Sequence, residues 1–191
     1  MNMKSITKDA VILFAITLIA GVLLGGVHEI TLEPIRKAQE EAANATYSKI
    51  FESAETFESA EELADAIEAC NADPELQTFG SNVSVNEVLK AKDASGNQVG
   101  YIVIAQAKGY GGPVESAVGL DMDGTITGLG FITINETPGL GMKAKDAAFT
   151  DQFKGMADGK SMQAISGATF TSKAVRGDVT AAQYFFNNYA E

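Results

Sequence analysis

Val114–Ile134 reads V-E-S-A-V-G-L-D-M-D-G-T-I-T-G-L-G-F-I-T-I. Two runs rich in β-branched and other apolar residues, Val114–Asp121 and Thr125–Ile134, flank the turn Asp121-Met122-Asp123-Gly124. Such runs around a turn-forming cluster are strand signals. A turn this short cannot carry a crossover, so the runs must pair antiparallel. Asp121-x-Asp123-Gly124 also resembles the start of a calcium loop, but its acidic ligands stop there and a hairpin turn accounts for it. Upstream, Asn82–Asp93 and Val99–Ala107 repeat the pattern around Ala94-Ser95-Gly96-Asn97. Downstream, Asp146–Phe153 reads as a short helix. Val175, Val179, Ala182, Phe186 and Tyr189 share one face of a final helix beginning near Thr171 or Ser172, by steps of three and four. An antiparallel sheet with a helix packed on it makes the fold class α+β.

Before the sheet the chain changes character. Ala10–Val27 carries no charge, and Thr17 is its one polar side chain. As a helix it is about 27 Å long, the hydrocarbon thickness of a bilayer. A cleaved signal peptide would have a shorter apolar region and a small-x-small cleavage site. Leu24-Gly25-Gly26-Val27-His28 matches that poorly, so the expectation is a retained transmembrane helix over 9–30. Lys4 and Lys8 precede it, which places residues 1–8 in the cytoplasm and the rest across the cell membrane as a single-pass protein. Residues 31–80 read as a helical acidic segment. Tyr47, Ile50, Phe51, Ala54 and Phe57 form its apolar stripe, and a capping box of Ser59 and Glu62 opens a second helix. From Glu40 to Glu75 the only basic residue is Lys49, and the whole chain has a formal net charge of −11. That charge argues against nucleic acid as a partner. The lone Cys70 forms no internal disulfide and reads as a small core residue.

The densest chemistry lies in Ile165–Lys173, I-S-G-A-T-F-T-S-K. Its hydroxyls suggest either a nucleophile or a phosphate site. A serine-type triad needs a base beside the nucleophile. The single histidine, His28, is at the edge of the apolar span, and Lys173 has no supporting motif. A Gly-Ala step entering a helix N-terminus favours phosphate instead, because free amide groups and the helix dipole face the anion. Thr171 or Ser172 is expected to cap that helix, leaving Thr169 free. Two glycine-dense loops, Gly109-Tyr110-Gly111-Gly112-Pro113 and Glu136-Thr137-Pro138-Gly139-Leu140-Gly141, follow expected strands and allow close approach to a flat ligand. The spacing Gly139-x-Gly141-x-x-Ala144 imitates a dinucleotide fingerprint, but Pro138 stands where that motif needs a strand entering a βαβ unit. No catalytic residue and no metal site is assigned.

Taken in order, an N-terminal anchor, GYGGPVESAVGLDMDG, ETPGLG and SGATFTS at a terminal helix resemble the FMN-binding domain family. Within it the chain is most similar to the G-subunit family of Rnf complexes, the ion-translocating ferredoxin:NAD oxidoreductases of bacteria and some archaea. The related C-subunit family of the sodium-pumping NADH:quinone reductase is the alternative. A membrane-tethered binding or sensor module without redox function is the other.

The resemblance implies an electron carrier holding FMN, with 81–191 as the FMN-binding domain on the extracytoplasmic side and no independent catalytic site. The threonine ending Ser-Gly-Ala-Thr is esterified to the FMN phosphate in that family, which is Thr169 here. Ser166, Gly167 and Ala168 would form the phosphate neighbourhood and the recognition motif of a flavin transferase that uses FAD as donor. Glu136, Thr137, Gly139 and Leu140 would lie near the ring system or ribityl chain, with Gly111 and Gly112 beside them. The implied partners are the other membrane and peripheral subunits of the complex. Gln163 stands where the family motif usually has an acidic residue, and Asn135 where many relatives have histidine.

Overall fold

The computed structural model describes residues 3–158 and 161–190. The chain forms two compact units, Met1–Ala42 and Ala43–Glu191. One helix, α1 (Met3–Ile50), supplies all the described structure of the first unit and the opening turns of the second. Within it Ile12–Ile35 is long and apolar enough to cross a membrane. That span starts later than the 9–30 read from sequence and ends further on, the apolar pattern running past Glu29 and Glu33.

The second unit is built on a five-stranded antiparallel meander in the order β1-β2-β3-β4-β5: Thr56–Ser59, Ser84–Lys92, Gln98–Lys108, Pro113–Asp121 and Ile126–Ile134. Both expected hairpins form. The Asp121 carboxylate accepts the amides of Asp123 (2.9 Å) and Thr125 (2.8 Å), and Gly124 takes a φ of 79°. That is an Asx-type turn, with no need of calcium. Helix α2 (Ala64–Ala72), the short α3 (Ala147–Thr150) and α4 (Thr169–Tyr189) complete the unit.

β3 explains why its sequence, Y-I-V-I-A-Q-A, is apolar almost without interruption. Successive side chains point to opposite faces, and here both faces are covered. Val103 and Ala105 meet α4 through Val175, Val179, Ala182 and Phe185. Ile102 and Ile104 meet Tyr47, Ile50, Phe51 and Ala54 on the other side. The end of α1 comes so close that a Cβ at Gly128 would strike the backbone of Ile50. Thr127 donates its hydroxyl to the Ile50 carbonyl at 2.8 Å, satisfying one of the helix's orphan end groups.

The structure corrects two readings of the acidic segment. Residues 43–80 belong to the globular unit, and helix does not run through them. Phe57 lies in β1, paired with Ala91. Ser59 is paired with Leu89 and caps nothing, and α2 starts after Leu63 without a side-chain cap. An open β2 edge wants a partner, and β1 provides one. Glu58 pairs with Lys92 at 2.5 Å and Glu62 with Lys90, so two of the acids meet strand lysines. Asn71 then fastens the end of α2 to β2 by exchanging two hydrogen bonds with the Val85 backbone. Cys70 is a free core thiol, pushed up to about 11 by burial and then by Asp73.

One polar pair is sealed between α4 and the sheet. Ser116 on β4 donates to Asp178 Oδ2 at 2.5 Å, while Oδ1 finds no hydrogen-bond partner among the described residues. Burial holds the Asp178 carboxyl well above its ordinary range; the Ser116 bond pulls it down and Glu115 pushes it up. Between the ordinary and the raised value, the folded chain keeps a proton that the unfolded chain has released. Stability therefore falls as pH rises through that window. Asp178→Asn removes the titration, so its Tm should change less than the wild type's between about pH 5 and about pH 8. Parallel Tm profiles would show that Asp178 is ionised in the fold.

Candidate functional site

The meander's register places the two glycine-dense loops side by side. Ala107 on β3 faces Val114 on β4, and Val114 faces Ile134 on β5. The loops leaving β3 and β5 therefore emerge at the same end of the sheet. Glu136 joins them. Its carboxylate is buried, and Oε1 accepts the amides of Tyr110 (2.8 Å) and Gly111 (3.3 Å). A carboxylate receiving backbone amides is a charge-assisted brace. Gly141 lets a third element close in, since a Cβ there would meet Glu136 and the Thr171 hydroxyl.

That third element is the first turn of α4, set up by the turn ahead of it. Ala168 N–H bonds the Ile165 carbonyl at 3.0 Å, and Gly167 takes a φ of 80° at the third position. A turn of this shape requires glycine there. Ser172 is buried and clamps the turn: it accepts the Ile165 amide and donates to the Ala168 carbonyl, both at 2.9 Å. The expected cap by Thr171 or Ser172 is thus corrected. α4 begins earlier, at Thr169, and its N-cap is Ala168 with no side-chain cap. The first bond inside the helix runs from Ser172 N–H to the Ala168 carbonyl. The amides ahead of it point out of the helix end, the arrangement that accepts an anion.

These pieces enclose a cleft of about 370 Å³ lined by Tyr110, Glu136, Thr137, Leu140, Gly141, Gly167, Ala168, Thr169, Phe170 and Thr171. Of the residues singled out in sequence, the structure brings Thr169, Gly167, Ala168, Glu136, Thr137 and Leu140 to this cleft. Gly111 reaches it through its bond to Glu136. Ser166 and Gly139 lie exposed on the adjoining turns, Gly139 with a φ of 75°. Gly112 lines a separate groove with Lys108 and Pro113. Thr169 is exposed at the cleft, so its hydroxyl is open to chemistry from outside. Tyr110 and Phe170 were not singled out, although both rings are exposed and face each other at 6.2 Å between centroids. Their only sequence signal was position: one inside a glycine-dense loop, the other next to Thr169. The Gly139–Ala144 stretch becomes a 3-10 turn, Gly141–Lys145, in a domain whose strands all pair antiparallel, and this removes the dinucleotide reading.

The cleft suits FMN on three observations: an unblocked helix N-terminus for a phosphate, an exposed hydroxyl beside it, and a slot faced by aromatic and aliphatic side chains. Residues 109–183, which contain all three loops, match the FMN-binding domain family, and residues 1–50 match the RnfG N-terminal region. The G subunit of the proton-translocating ferredoxin:NAD(+) oxidoreductase complex of Clostridium ljungdahlii is 29% identical over 193 residues, covering 92% of this chain and 92% of its own. The G subunit of the ion-translocating oxidoreductase complex of Methanosarcina acetivorans is 30% identical over 181 residues, covering 90% of this chain and 89% of its own. Among solved structures, the C subunit of the Na(+)-translocating NADH-quinone reductase of Parabacteroides distasonis is similar over 53% of this chain and 63% of that chain, with 29% identity and a TM-score of 0.44.

Glu136→Ala strands two loop amides in a partly buried place. The cost is about 1–3 kcal/mol, the range for a buried donor left unsatisfied. The expected outcome is a Tm lowered by several degrees and faster hydrogen exchange at Tyr110 and Gly111. Unchanged exchange at those two amides would show that the loops hold without the brace.

Proposed function

The chain belongs to the G-subunit family of ion-translocating oxidoreductase complexes, and from that premise we propose that it is a membrane-anchored electron carrier with FMN esterified to Thr169. The observation that carries the proposal is the placement of Thr169: first residue of α4, exposed, and on the wall of the cleft. Bound FMN supplies the redox chemistry, accepting and passing on electrons; the protein fixes it in place.

The residues divide that task. The Thr169 hydroxyl is the tether. In attachment its oxygen bonds to the flavin-side phosphorus of FAD, the bond from that phosphorus to the AMP oxygen breaks, and AMP leaves. The hydroxyl proton passes to a base of the separate flavin transferase that performs the step. No base of this chain is needed, which accords with its single histidine at position 28. The free amides at the start of α4 and the helix dipole favour the phosphate's charge. Gly167 keeps the turn tight, and Ala168 adds little bulk beside the phosphate. Glu136 and Thr137 hold the floor of the cleft, while Leu140, exposed at its rim, borders the face open to a redox partner.

An ester link suits a carrier on the extracytoplasmic side, where a dissociating cofactor is lost by dilution. We place the FMN domain there because Lys4 and Lys8 precede the span, and basic residues stay in the cytoplasm. The apolar span confines the domain near the other subunits of a ferredoxin:NAD oxidoreductase complex and raises their effective concentration.

Intact mass measurement of the natively matured protein should show an addition equal to FMN less water, localised to the Ser166–Ser172 peptide. Thr169→Ala should abolish flavin fluorescence on a denaturing gel, and an undiminished fluorescent band in that variant would place the link elsewhere. Leu140→Ala should shift the flavin potential or slow transfer to the partner. Wild-type values for both would remove Leu140 from the partner-facing rim.

A further inference from the structure

Among the described residues of the globular unit, the exposed large hydrophobic side chains are Tyr110, Met122, Ile132, Leu140 and Phe170. Tyr110, Leu140 and Phe170 all line the one cleft. Tyr110 and Phe170 are also the most exposed of the set, at 74% and 65%. Leaving two aromatic rings in water forgoes the burial that such side chains usually find, so their meeting at a single slot calls for an occupant.

Two aromatic rings on opposite elements suit a flat occupant. The two rings stand 6.2 Å apart between centroids with their planes 43° apart. They approach from different elements: Tyr110 from the loop braced by Glu136, Phe170 from the first turn of α4. A planar ring held between two others needs about 7 Å from outer ring to outer ring, twice an ordinary carbon contact. The 6.2 Å between the two rings falls short of that, so their side chains must part for a third ring to enter. Phe170 directly follows Thr169, so a ligand tied to the threonine is delivered beside it.

Resting on the reading of Thr169 as the FMN tether, we propose that Tyr110 and Phe170 form a two-sided clamp on the flavin ring system, with Tyr110 stacked against it closely enough to quench its emission. Quenching follows from the phenol's chemistry. The photo-excited ring takes one electron from the Tyr110 phenol, and the electron returns by recombination, so nothing is consumed. Phenylalanine is too poor a donor to do this. The composition makes the assignment unusually clean. The chain has no Trp and five Tyr. Tyr47 is buried on the far face of the sheet, Tyr101 packs on Phe186, and Tyr184 and Tyr189 both donate to Asp73. None of these four lines the cleft, which leaves Tyr110 as its one strong electron donor of this kind.

The test uses the full chain matured with its transferase, with flavin loading checked by the denaturing-gel band. Emission lifetime and quenching by iodide are then measured on the folded protein. Wild-type flavin should be strongly quenched and should brighten several-fold once the same sample is digested to peptides. Tyr110→Phe keeps a stacking ring and removes the donor; its emission should rise several-fold with iodide access unchanged. Tyr110→Ala should raise both, and Phe170→Ala should raise iodide access. A Tyr110→Phe lifetime equal to wild type, or no brightening on digestion, overturns the clamp. Absence of the gel band in wild type defeats the tether reading instead, so the two failures are told apart.

Discussion

One buried carboxylate organises the working end of this domain. Without Glu136 the glycine-dense loop after β3 keeps, among the described residues, only the bond from the Gly109 amide to the Gly112 carbonyl at 2.9 Å to close it. The bonds from the Tyr110 and Gly111 amides to Oε1 add two more. They also set the distance between the loops leaving β3 and β5, and Gly141 lets the first turn of α4 approach the same side chain at Thr171. The cleft forms where three segments meet: the loop after β3, the loop after β5 that carries Glu136, and the start of α4. A carboxylate suits the place better than a neutral acceptor, because its bonds to amides are stronger and it can take several at once.

What could be read from sequence follows the range of the interactions involved. The two hairpins and the face of α4 are encoded locally, by turn residues and by spacing of three and four, and they form as read. The loops of the site were also legible, since glycine density after a strand has few purposes. The second layer of the sheet was not. Tyr47, Ile50, Phe51, Ala54 and Phe57 keep helical spacing, yet the helix ends at Ile50 and Phe57 enters a strand. What decides this is non-local: the exposed edge of β2 accepts Thr56–Ser59, and Thr127 seizes the Ile50 carbonyl from another strand. No pattern confined to residues 43–59 contains that information. The Ser59–Glu62 capping box failed for the same reason, each residue being claimed by β2: Ser59 paired with Leu89 and Glu62 with Lys90.

The N-terminus of α4 is left open by the way its first-turn hydroxyl is used. A hydroxyl in the first turn usually serves its own helix. Here Ser172 serves the preceding turn, and the helix end is left open. Gln163 shows a similar economy. Its amide donates to Gln152 Oε1 at 2.7 Å, while the Gln152 amide group donates to the Phe149 carbonyl at 2.8 Å. The approach to the Ser166–Thr169 motif is thereby held through its main chain. Whether residue 163 is acidic or an amide does not alter those bonds.

β5 links the two functional ends of the globular unit. Near its start Thr127 holds the last carbonyl of α1, and its last residue, Ile134, stands two positions before Glu136. The strand between them covers about 23 Å and runs beside β4 without a loop, its register broken at Thr127 and at Ile132. One bulged strand therefore joins the end of α1 to the loop that carries the brace of the cleft.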